Sequence, residues 1–300
     1  MTSRNSADTG ARPVVASRRN RRRPNFWAVA GVPAIIFLAI AFVAPLAMIV
    51  GKSLESDTPF AFYAAIISEP IYQRQFIRTV LVSLSVTALC LVIGYPYAYA
   101  MARGGRHLST ALGGVLLVSF WTSLLVRTFA WGVILNDTGI VNTLLLDLGV
   151  IDQPIQLIRN LFGVLVGMVH IQLPMMILAV YAALRTVKPE LELAAQSLGA
   201  RPVVAFWRIT VPLSLPGVAA GAVLVFVLSL GFYLTPQLLG GPGDVMISQS
   251  IVLEVQRYLE PGMGAALGVV LIVLVLIVLA VASRFVGIKR ILGITEGKTE

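Results

Sequence analysis

The sequence predicts an all-α polytopic membrane protein, with six transmembrane helices and both termini in the cytoplasm. Hydrophobic residues make up 57% of the chain and charged residues only 12%. A soluble domain carries roughly 25% charged residues, so there are too few here to cover a water-facing surface. Six apolar stretches reach the roughly 20 residues that a hydrocarbon core of about 30 Å requires. The basic residues then fix the orientation. With the N-terminus inside, 17 fall in inner segments and four in outer loops, and this bias sets the topology of membrane proteins.

Residues 1–25 are expected to be a disordered cytoplasmic arm, with seven Lys or Arg in the first 23 positions. A basic block directly before an apolar run acts as a topology anchor. The net charge of +9 therefore implies no nucleic-acid partner. The six-helix domain covers 26–287 and a cytoplasmic tail 288–300. The first span, 26–50, is too long for a signal-peptide core of roughly 7–15 residues and is expected to stay uncleaved. The others are 77–101, 111–135, 161–184, 213–234 and 264–286. Pro96 and Pro174 fall inside spans, where packed neighbours satisfy the freed backbone groups. Between the spans, "SDTPFAFYAAIISEPIYQRQF" and "GIVNTLLLDLGVIDQPIQLI" place apolar residues at helical spacing, which predicts short helices on the outer face. "LGGPGDVMISQSIVLEVQRYLEPGMG" predicts a Gly-Pro turn and then an amphipathic helix.

The chemistry the sequence lacks narrows the function. Cys90 is the one cysteine, which excludes an intrachain disulfide or a multi-cysteine metal site. There is no G-x-x-x-x-G-K-[ST] phosphate loop, no H-E-x-x-H and no G-x-S-x-G. The spans hold no Asp or Glu, which removes the usual proton or sodium relays of secondary transporters. No metal, cofactor or catalytic residue is expected on this chain. Four residues are candidates for a translocation pathway: Tyr95, Trp121, Arg127 and His170. Each has a second reading. Tyr95, with Tyr97 and Tyr99, and Trp121 suit interfacial belts; Arg127 can snorkel to the outer interface; His170 can bond a neighbouring helix.

The segment 186–212 is the largest inner loop. Leu191, Ala194, Ala195 and Leu198 share one helical face, with Glu190 and Glu192 near the positive N-terminus of that helix. Gly199 stands where a helix end takes a left-handed residue. Pro202 suits the first turn of a second helix. Pro212 and Pro216 mark the entry to the fifth span. The sequence thus predicts a short helix, a tight turn and an elbow along the inner membrane surface.

Here the residues resemble a known family. Ala194-Ala195, three residues, Gly199, nine residues, then Ile209-Thr210-Val211-Pro212 is similar to the E-A-A-x3-G-x9-I-x-L-P signature of ABC importer permeases. Leu193 stands where that family commonly has Glu, and Val211 where it has Leu. Glu192 lies one residue earlier, about 100° around the helix. "GYPYAYAMARG", "SLLVRTFAWGVIL", "GIVNTLL" and "LGGPGD" resemble the spermidine/putrescine branch. The resemblance implies a type I ABC importer permease fold. In it, segment 186–212 couples to the ATPase, with Glu192, Leu193, Ala194, Ala195, Gly199, Ala200, Ile209 and Pro212 at the contact. It further implies two ATPase subunits holding ATP and Mg, a second homologous permease, an extracytoplasmic solute-binding protein and surrounding lipid. This chain itself would catalyse no covalent chemistry.

Overall fold

A computed structural model describes residues 26–56, 58 and 60–286. The predicted arm 1–25 and tail 288–300 lie outside the described residues. Among the described residues every regular element is helical. The chain divides into two units, residues 1–47 and 48–300. Most of α1 (Phe26–Lys52) lies in the first, an uninterrupted helix despite Pro33 and Pro45. Its 27 residues extend about 40 Å at 1.5 Å per residue, enough to cross a bilayer.

The second unit is built on three long helices packed side by side: α3 (Pro70–Arg103), α7 (Leu161–Thr186) and α10 (Val211–Leu230). Their shared core holds Val86, Cys90, Met168, Met176, Val180, Leu184 and Val225, all fully buried. Lipid tails are as apolar as these side chains, so burial alone does not hold membrane helices together. Close van der Waals packing does. Gly217 and Gly221, one turn apart on α10, face Ala183 and Ala179 of α7. A Cβ added at Gly221 would stand 2.7 Å from the Ala179 Cβ, and one at Gly217 would sit closer still to Ala183. The two backbones approach because neither side carries more than a methyl group.

Three expectations need correction. The second span is expected from residue 77, but α3 begins at Pro70. Proline is favoured at a first helical position because it has no N–H to leave unpaired, and the 34-residue helix absorbs the last third of the loop segment 56–76. Its outer end is tied to α12 (Ile247–Gln256). Thr79 Oγ1 accepts from the Ile247 N–H at 2.9 Å, and Tyr72 donates to Glu254 at 3.0 Å. The expected continuous span 111–135 is instead α4 (Arg106–Trp121) and α5 (Leu124–Ile134), bent by 96°. Thr122 and Ser123 at the break are extended. The Thr122 hydroxyl donates to the Val118 carbonyl at 2.9 Å, the kind of local bond by which Ser and Thr compete with helix continuation. Among the described residues five helices are long and apolar enough to cross a membrane, and the count is six with the bent pair taken as one span. Finally, the fifth span stops at Leu230 rather than 234. The chain turns at Gly231 and resumes as α11 (Leu234–Leu239).

The short helices expected between the spans form largely as predicted. They are α2 (Ala61–Ser68), α6 (Ile140–Asp147), and the turn Pro242–Asp244 followed by α12. Buried Asn142 pins the irregular stretch after α6, exchanging two 2.9 Å bonds with the Ile155 backbone. The last helix, Pro261–Val286, packs against α12 and α10.

The close approach of α7 and α10 is directly testable. Gly217→Val should destabilise the protein by about 3 kcal/mol, the upper range for overpacking a tight contact. Gly113→Ala on α4, with nothing within 4 Å, should stay within about 1 kcal/mol. Thermal unfolding in detergent reads both; equal effects would contradict this packing.

Candidate functional site

The segment 186–212 begins with α8 (Pro189–Ser197), whose first helical position is Pro189 and whose first turn carries Glu190 and Glu192. It ends as predicted. Gly199 is left-handed, with φ +92°, and the Ala200 N–H reaches back to the Ala195 carbonyl at 3.0 Å. This wrap satisfies carbonyls that a helix end leaves open. Nothing lies within 4 Å of a Cβ placed on Gly199, so glycine is required here by backbone conformation alone.

The second half differs from the predicted elbow. Pro202–Ala205 (α9) runs through a π-helical turn, Phe206–Thr210, directly into α10. Pro212 therefore does not break the chain. It has no N–H to give to the fourth carbonyl before it, and its ring crowds that carbonyl. Widening the preceding turn to π spacing accommodates both. The result is one continuous rod from residue 202 to 230.

One carboxylate joins this segment to the spans. Glu192 Oε1 accepts from Arg103 Nη2 at 3.1 Å and from Thr210 Oγ1 at 2.6 Å, and its Oε2 accepts from Tyr99 at 3.3 Å. Arg103 Nη2 also donates to the Val187 carbonyl at 2.9 Å. The pair is mostly buried, with side chains 16% and 13% exposed. Glu192 thus ties α8 to the inner end of α3 and to the π turn, while Arg103 reaches the residue that follows α7. Tyr99 and Tyr95 also pack edge-on to Phe206, and the Tyr95 hydroxyl shares a 2.9 Å bond with Ser214.

Of the residues singled out in the sequence, Leu193 and Ala194 are exposed on α8 beside Leu191 and Leu198, the last 90% exposed. Ala195, Ala200 and Ile209 are half-buried, and Pro212 is exposed. Glu192 faces inward, as its offset from the signature position implies. Of the residues that complete its site, Tyr99 is read in the sequence only as an interfacial-belt residue, Thr210 only as part of the signature, and Arg103 is not singled out. Basic Arg103 at the end of a span was the available signal, but its partner is 89 residues away.

The pathway candidates do not form one group. Tyr95 belongs to the inner elbow. Trp121 is 86% exposed beside the α4–α5 break. His170 accepts a 2.8 Å bond from the Trp131 indole, so the helix-bonding reading of this histidine holds. Next to Trp131 on α5, Thr128 pairs with Thr235 of α11 at 3.3 Å. Arg127 has two buried nitrogens, Nε and Nη1, without a partner among the described residues. Further along α7, Gln172 donates to Ser229 of α10. Groups of three or more potential metal ligands are absent among the described residues.

The family model described as "Binding-protein-dependent transport system inner membrane component" matches residues 16–290. The spermidine/putrescine transport system permease protein PotB of Salmonella typhimurium is 31% identical over 277 residues, covering 88% of this chain and 96% of that protein. The molybdenum transport system permease protein ModB of Mycobacterium bovis is 30% identical over 263 residues, covering 87% and 94%. Among solved structures, a chain of a bacterial alginate ABC transporter in complex with an alginate pentasaccharide-bound periplasmic protein aligns with a TM-score of 0.67. It is 19% identical and covers 90% of this chain and 96% of that one.

If Glu192 and Arg103 act as a buried pair, Glu192→Ala and Arg103→Ala should each cost about 3 kcal/mol, because each leaves a buried charge alone. The double variant should cost less than the sum. Exposed Glu190→Ala should change stability by no more than about 0.5 kcal/mol. Additive losses in a denaturation cycle would contradict the pairing.

Proposed function

Since the chain belongs to the family of binding-protein-dependent transport system inner membrane components, we propose that it forms one half of the translocation pathway of an ATP-driven importer. It is a multi-pass inner-membrane permease subunit and not an enzyme by itself. Its partners in this reading are a second, homologous permease, two ATPase subunits that hold ATP and Mg, and a solute-binding protein that docks on the outer loops. The solute is a small organic amine, a polyamine such as spermidine or putrescine or an amino-acid-like relative. The likeness to PotB over most of both chains supports that class.

The Glu192 clamp is the observation that supports this reading most. An exposed helix joined by a mostly buried carboxylate to α3 and to the π turn that leads into α10 can pass a push from an attached ATPase into the membrane. A helix that merely covered the bundle would need no such joint. ATP binding would draw the ATPase pair together, α8 would follow, and the spans would swing from inward- to outward-facing. Hydrolysis and separation of the ATPases would reset them.

Gly199→Val tests the coupling role. A β-branched residue at φ +92° is strained, so the turn after α8 must change while the bundle has no reason to. Membrane insertion should persist. Uptake of radiolabelled spermidine and binding-protein-stimulated ATP hydrolysis by the whole transporter should each fall at least about tenfold, the effect of roughly 1.4 kcal/mol. Unchanged hydrolysis and uptake would refute the coupling role. Absent spermidine uptake by the unmodified transporter would refute only the choice of solute.

A further inference from the structure

The third apolar run, 111–135, breaks at its middle, where Thr122 and Ser123 leave the helix. Ser123 is exposed, and no side chain caps the N–H groups that open α5. Irregular backbone at this depth is not stable against lipid tails; it persists where it is buried in protein or lines water. The break is open on this chain and a charge lies one turn away, which favours water over a protein cover.

That charge is Arg127. Its Nε and Nη1 are buried without a partner among the described residues, and an unpaired donor on a cation costs more than one on a neutral group. One turn further along α5, Trp131 donates its indole N–H to His170 Nδ1 at 2.8 Å. The neutral ring then carries its proton on Nε2 and donates there. Arg127 is near enough for its charge to act on that ring. His170 stands ten residues into α7, about 15 Å along the helix, or half of a hydrocarbon core of about 30 Å. Donors from α5 and α7 thus meet at mid-membrane, and the spans hold no Asp or Glu to satisfy them.

We propose that Arg127 and His170 are the solute's contact within the membrane and hold a carboxylate. The inference rests on the importer reading and narrows its solute. An amino-acid-like amine carries the acceptor that both residues lack, whereas a bare polyamine offers only further donors. A guanidinium pairs with a carboxylate through two parallel N–H···O bonds, and the imidazole N–H supplies a third. Nε and Nη1 are covered in this conformation, so the guanidinium must turn toward the break to bind. Interrupting the span at Thr122-Ser123 is what opens that approach to water.

The test uses the chain with its co-purifying subunits in nanodiscs, without binding protein, and two probes of similar length. 4-Aminobutanoate carries an amine and a carboxylate; putrescine carries two amines. Saturation-transfer NMR should show 4-aminobutanoate bound about tenfold more tightly, the gain from one charge-assisted pair. Arg127→Gln should abolish that preference while melting at or above the unmodified temperature, because its buried donors have no partner to lose. His170→Phe should diminish the preference. Ser123→Cys should react with a membrane-impermeant thiol reagent, while buried Cys90 stays silent. Failure of 4-aminobutanoate to bind more tightly than putrescine would overturn the proposal. So would an undiminished preference or a lowered melting temperature in Arg127→Gln, or an unreactive Ser123→Cys. None of these measurements uses ATP or transport, so their failure leaves the Gly199→Val result, and with it the importer reading, standing on its own.

Discussion

Glu192 is the carboxylate on which the inner face of this protein turns, and its surroundings show what a buried charge requires. Desolvating a carboxylate costs several kcal/mol unless its oxygens are paired and hydrogen-bonded. Here Arg103, Thr210 and Tyr99 meet that need together, and they come from both ends of the chain's sequence separation: α3 on one side, the π turn on the other. Removing any of them leaves the others with unmatched polar atoms. The position of α8 is therefore set by chemistry that has no cheap alternative, while its outer face, with Leu193, Ala194 and Leu198, remains exposed.

The bundle behind the clamp is held by a different physics. Surrounded by lipid, it gains little from burying apolar surface and relies on close contact. The glycine pair Gly217 and Gly221 meets Ala183 and Ala179, and Gly94 packs against Met176. Polar bonds between helices, such as Gln172 with Ser229 and Thr128 with Thr235, add to that contact. In the proposed importer, close packing of α3, α7 and α10 would let motion at α8 travel as a body rather than dissipate as bending. The broken elements sit elsewhere. α5 and α11, each following an interrupted span, pack on each other and on α7.

Much of this was legible in the sequence, for identifiable reasons. Long apolar stretches report span existence because a bilayer demands about 20 apolar residues. Gly199 reported its left-handed turn because no other residue adopts that conformation freely. The amphipathic α8 and α12 followed from spacing. What sequence could not report was set by contacts distant along the chain. Arg103 and Glu192 lie 89 residues apart, and nothing local marks them as partners. The 96° break at Thr122-Ser123 hides inside an apolar run whose composition is that of a straight helix. Pro212 misled because proline ordinarily ends a helix, whereas a π turn here absorbs it. Of the pathway candidates, His170 resolved to a hydrogen bond with Trp131, and Arg127 retains buried donors that its own neighbours do not satisfy.

The central claim is that α8 moves as one body with the inner ends of α3 and α10. Spin labels at Ser197 and Gly105, and in a second sample at Ser197 and Leu215, measure it directly by pulsed electron resonance on the assembled transporter. With and without trapped nucleotide, both distances should hold within about 2 Å, less than half of a one-turn helix shift. A change of about 5 Å in either distance on nucleotide binding would show α8 sliding against the spans and would contradict the account.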